Sequence, residues 1–247
     1  MTFTLPATPT PTPTPDIAFY GVTLTGWSTE NQRIITGELD QIAIKLWGAY
    51  NSFCSGYSTC PLFANRAALF AEVFGSLTIQ YDTGHMINGE KAGPCDSLTS
   101  GKIICGELAG NLLGPEPTDL LFHQITHEFG HQFDRAIGGN GRSTLGNSAI
   151  TLDDGRWVSG LTPTGYVRSV NGYVANKQPY VQHIIDDNSS ECYGGSACED
   201  FADMFMNWTW NSFSSPTNGD DQLGYGAARY SWMDARMGRW VYMAVTR

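Results

Sequence analysis

Two histidines four residues apart, with a glutamate directly after the first, form the stretch His127-Glu128-Phe129-Gly130-His131. On an α-helix positions four apart lie one above the other, so His127 and His131 can close on one metal ion with Glu128 beside it. That chemistry reads as a zinc site with a general base, and Zn2+ is the expected cofactor. Among the five histidines, His123 stands a further four residues upstream. It is about 12 Å of helix rise from His131, too far to share an ion whose bonds are roughly 2 Å long, so it is expected to be a neighbour of the site.

The helix that must carry this motif has its own signature. Phe122, Ile125, Phe129, Phe133 and Ala136 recur at steps of three or four and form an apolar stripe that points away from the two histidines. Thr118, after Pro117, suits an N-cap, and Gly138-Gly139 supplies a stop. A catalytic zinc needs three protein ligands and an open position. The extension that would add a third histidine is excluded, because Asp134 stands where its glycine should be and Ile137 where its histidine should be. His85 is expected to be an exposed loop histidine rather than a ligand.

Further on, Cys198-Glu199-Asp200-Phe201-Ala202-Asp203-Met204-Phe205 opens a second helix. Glu199 and Asp203 share one face, opposite Phe201, Met204, Phe205 and Trp208. In these two short segments the chain resembles the gluzincin metallopeptidases, most closely the lethal-factor-like branch, in which His-Glu-Phe-Gly-His pairs with a later Glu-x-Phe-Ala-acid helix. The resemblance implies that Glu199 is the third zinc ligand and that Asp203 accepts the outer ring N–H of a ligating histidine, His127 first among them. It implies a tyrosine ahead of the glutamate as oxyanion donor; Tyr193 is the choice, although the family's spacing falls on Cys192, and Tyr180 and His183 are the alternatives. Glu199 lies 68 residues beyond His131, long for the family, so an insertion must fold between them. Glu191, Asp186, Asp187 and Asp153 therefore stay open as substitutes.

The implied fold is α+β, a zincin-like arrangement with a small mixed sheet and the active-site helix in an upper lobe, about 16–138, and a mainly helical lower lobe, about 139–247. The implied activity is that of a zinc-dependent endopeptidase acting on a protein or peptide substrate. Glu128 would take the proton of the attacking water and pass it to the leaving amine. A non-catalytic binding module that keeps the zinc helix is one alternative, and a zinc hydrolase of a non-peptide bond is another. Glu128 argues against the first, since a structural zinc closes its fourth position and needs no base.

Composition narrows the partners. With 24 acidic against 14 basic residues, a net charge of −10 argues against nucleic acid and anionic lipid. No run of eighteen apolar residues is present, so no membrane span is expected. At 247 residues and 41% hydrophobic content, the chain suits one catalytic domain over 16–247, expected as a monomer. Six cysteines fall into three local couples, Cys54 with Cys60, Cys95 with Cys105 and Cys192 with Cys198. They suggest three disulfides closing small surface loops in an oxidising compartment, and the absence of a C-x-x-C pair weighs against thiolate metal sites. Residues 1–15 repeat Thr-Pro and read as a disordered, extended linker with no signal peptide visible ahead of it. A secreted or cell-surface location follows.

The remaining elements frame the site. Residues 17–25 read as a strand, Ser28 to about Tyr50 as a long helix with Ile35, Leu39, Ile42, Leu46 and Tyr50 on one face, 64–74 as a helix and 77–81 as a strand. A strand over 102–107, just ahead of the zinc helix, is expected to form the upper rim of the cleft and pair with an extended substrate. Residues 139–190 read as loops and short strands, with apolar runs at 149–152 and 165–167. A last helix over 227–245 carries Tyr230, Met233, Met237, Trp240 and Ala244 as a core stripe.

Overall fold

Residues 17–25, expected to form one strand, divide in two. In the computed structural model, which describes residues 16–87, 90–91, 95–106, 119–146, 149–151, 157–159, 197–211 and 225–247, Ile17–Tyr20 is a 3-10 turn. The Asp16 carboxylate accepts the Ala18 N–H at 3.1 Å, and Gly21, at φ +70°, redirects the chain into β1, Val22–Thr25. Glycine takes that φ without the steric cost that a Cβ brings.

Helix α1, Thr29–Cys54, begins where Ser28 Oγ accepts the Asn31 N–H at 3.3 Å, and its whole expected stripe is buried. Helix α2, Arg66–Phe74, starts at an Asn65 cap, and β2, Leu77–Tyr81, follows. Then come the paired β3, Met86–Ile87, and β4, Glu90–Lys91, and after them β5, Cys95–Thr99, and β6, Lys102–Cys105. The main sheet has the order β1-β2-β6-β5, with β1, β2 and β6 parallel and β5 antiparallel at one edge. The strand ahead of the histidine-bearing helix is thus not a rim: β6 is paired on both sides, and the edge belongs to β5, in a stretch that reads as loop from sequence. Gly101, at φ +77°, turns β5 back on β6.

Helix α3, Asp119–Ala136, carries the histidine motif; α4, Asn140–Gly146, follows within a region expected to be loop. Strands β7, Ala149–Thr151, and β8, Trp157–Ser159, pair with each other. Helices α5, Ala197–Trp210, and α6, Tyr225–Val245, complete a mixed α+β architecture. The apolar run at 165–167 lies outside the described residues.

Among the described elements α3 and α5 share the most extensive contact. Behind it runs a chain of rings: Phe74 meets Phe129 with centroids 5.0 Å apart, and Phe133 meets Phe205 at 5.2 Å. Met233, Met237, Trp240 and Ala244 are buried as expected and Tyr230 only partly, and α6 packs mainly against α1. Disulfides join Cys54 to Cys60 and Cys95 to Cys105. The first closes a short loop, whereas the second corrects the surface-loop expectation: its cysteines are buried register partners on β5 and β6. Cys192 and the Cys198 side chain lie outside the described residues. No helix among those residues is long and apolar enough to cross a membrane.

Candidate metal centre

The face of α3 opposite its apolar stripe brings His127 and His131 together. Their Nε2 atoms stand 3.1 Å apart, with ring planes at 83°. Two nitrogens each about 2.0–2.1 Å from one tetrahedral zinc are separated by roughly 3.3 Å, so the pair has the spacing that such an ion requires. His127 is buried, His131 half-buried, and Glu128 between them is only 5% exposed. The donor chemistry and spacing fit zinc.

Gly130 sets where the second helix crosses. A Cβ built there would lie 2.6 Å from the Ala202 Cα and 3.0 Å from its carbonyl oxygen, so the two backbones touch at a point where only glycine fits. His127 and His131 lie three residues before and one after Gly130; Glu199 and Asp203 lie three before and one after Ala202. The two candidate pairs thus occupy equivalent positions about the crossing. The side chains of Glu199, Asp203 and His123 lie outside the described residues, as do Tyr193, Tyr180, His183, Asp153, Asp186, Asp187 and Glu191. Among the described residues no group of three or more His, Cys, Asp or Glu side chains is arranged to hold a metal ion.

Polar contacts on either side of the motif fix α3. Gln132 reaches the β5–β6 hairpin: its Nε2 donates to Ser97 Oγ at 2.6 Å and to the Thr99 carbonyl at 2.8 Å, and its Oε1 accepts the Gly101 N–H at 3.0 Å. Arg135 donates to the same Ser97 hydroxyl at 2.8 Å. Burial lowers the Arg135 pKa, opposed first by the nearby Glu128 charge. Asp134 accepts the Arg142 N–H at 3.0 Å and pairs with its guanidinium at 3.3 Å; burial nonetheless raises its pKa. His85, expected to be exposed, is largely buried with its ring nitrogen against the Asp96 carboxylate on β5.

Next to His127, the buried Thr126 hydroxyl donates to the Glu38 carboxylate on α1 and accepts the Trp210 indole N–H at 2.9 Å. Glu38 is wholly buried and its second oxygen has no partner among the described residues. Burial drives its pKa well above the ordinary carboxylate range, against the hydrogen bonding from Thr126.

Comparison of the chain with protein-family models, curated proteins and solved structures found no match.

Sequence reasoning missed Glu38, Thr126, Gly130 and Gln132. The signal for the first was present: Glu38 falls between Ile35, Leu39 and Ile42, inside an apolar stripe where an acid has no packing reason to be. Gly130 offered a weaker one, a poor helix former in a helix interior. Nothing in the sequence points to the partner that Gln132 finds on the hairpin.

Proposed function

We propose that this chain is a secreted or cell-surface zinc-dependent endopeptidase of gluzincin type with a zincin-like fold. The 3.1 Å convergence of the His127 and His131 Nε2 atoms carries the reading, because it is close to the separation that two imidazoles take on one tetrahedral zinc ion, with Glu128 directly after the first of them. Support comes from the backbone contact of Gly130 with Ala202, which holds the Glu199 helix against the histidine helix. In this reading Glu199 completes the ligand set and Asp203 orients His127 through its outer ring nitrogen. Bound zinc supplies a Lewis acid that brings the pKa of water toward neutrality. Glu128 takes the proton of the attacking water and returns it to the leaving amine, and Tyr193 donates to the developing oxyanion. The antiparallel edge strand β5, tied to α3 through Gln132 and Arg135, is the strand to which an extended peptide would add.

The test is cleavage of a generic unfolded protein with and without chelator. Activity lost on chelation and restored by zinc supports the reading; full activity in the chelated, metal-free protein ends it.

A further inference from the structure

Glu38 is a buried acid that the proposed chemistry does not use. It belongs to a row on α1 with Gln41 and Lys45, at steps of three and four, that grips the end of α5. Gln41 Nε2 donates to the Thr209 carbonyl at 3.1 Å and Lys45 Nζ to Asn211 Oδ1 at 2.7 Å, where Asn211 ends the helix at φ +53°. Glu38 adds the third hold through Thr126, whose hydroxyl also receives Trp210 from the last turn of α5. One face of α1 thus bonds simultaneously to α3 at the residue before His127 and to α5 at its end.

We infer that Glu38 is a positioning residue: through Thr126 and Trp210 it fixes the axial setting of α5 against α3, and so the meeting of the Glu199 carboxylate with the histidine pair. Apolar packing tolerates small slides, whereas hydrogen bonds are lost within a few tenths of an ångström and a few tens of degrees. An acid buried with one oxygen unpaired among the described residues is costly in the fold, and a stripe position that served packing alone would carry Leu or Met. The inference rests on the zinc-peptidase reading, since only a metal site draws on that setting.

The experiment compares the full chain with Glu38→Met, Glu38→Gln and Thr126→Val, titrating zinc chloride against a competing chelating dye and measuring kcat, KM and the Tm of the metal-free protein. Glu38→Met is expected to keep or raise the Tm while zinc affinity falls about 10–100-fold, the range for partners that orient metal ligands, with kcat reduced and KM little changed. Thr126→Val should lower zinc affinity and kcat in the same way but also lower the Tm, because it leaves the buried Glu38 carboxyl and the Trp210 N–H without the hydroxyl that joins them, and Glu38→Gln, which keeps an acceptor for Thr126, should restore affinity and kcat. Wild-type zinc affinity in Glu38→Met, with or without a lower Tm, makes the acid fold glue and overturns the inference alone. Failure of the unsubstituted chain to bind zinc overturns the zinc reading and this inference together.

Discussion

The two faces of α3 solve opposite problems with residues that alternate along the same few turns. On one face Ile125, Phe129 and Phe133 are fully buried among the rings of Phe70, Phe74 and Phe205, where any side chain of suitable volume and shape would serve. On the other, His127 and Glu128 are nearly as buried and His131 is half-buried, yet all three are polar, so each must be matched by a specific partner. Stability comes from the first face and geometry from the second. Gly130 belongs to both, because its missing side chain lets α5 close on the helix.

Substitutions should separate the faces. The largest effect falls on the polar side: Glu128→Gln should cut turnover by about 10²–10⁴-fold while zinc content and Tm stay as they were. Normal turnover in that variant would remove the general base. Phe129→Ala should do the reverse, lowering stability in urea by about 3–5 kcal/mol and leaving the rate per folded molecule close to normal. A large loss of rate at full folding would show that the faces are not separable. Gly130→Ala should break both, because the new Cβ meets the Ala202 backbone and the helices must part. A cost of about 1–3 kcal/mol is expected together with weakened zinc binding, read by denaturation and by metal titration.

The smallest effect is a slope. Burial raises the Glu38 pKa well above the ordinary value of 4.5, so between the two values the folded chain holds a proton that the unfolded chain releases. Stability is therefore least penalised by this acid below 4.5 and falls as pH rises toward the raised value, by about 1.4 kcal/mol per pH unit. Glu38→Gln should remove this component from a series of urea titrations at increasing pH, and an unaltered slope would show that the acid is charged in the fold.

What could be read in advance follows the same division. The apolar face was legible because periodicity alone carries it: the stripes of α1, of α6 from Met233 onward and of α3 from Ile125 onward are buried as their spacing requires. The histidine pair was legible because helical spacing of four brings its members together without help from elsewhere. Contacts between elements were not. The edge position of β5 depends on a turn at Gly101 and on which strand lies beside β6, neither of which is a local property. The same holds for α4, whose backbone packs at Gly141 against the Phe201 ring, and for Glu38, whose oddness in its stripe was visible although Thr126 was not.

The decisive measurement is the anomalous scattering of crystals grown with zinc, recorded on either side of the zinc absorption edge. One ion within about 2.0–2.2 Å of His127 Nε2, His131 Nε2 and a Glu199 carboxylate oxygen, with a fourth position open, is the predicted result. A map with no zinc signal between the two imidazoles, or with an ion sealed by four protein ligands, would contradict it.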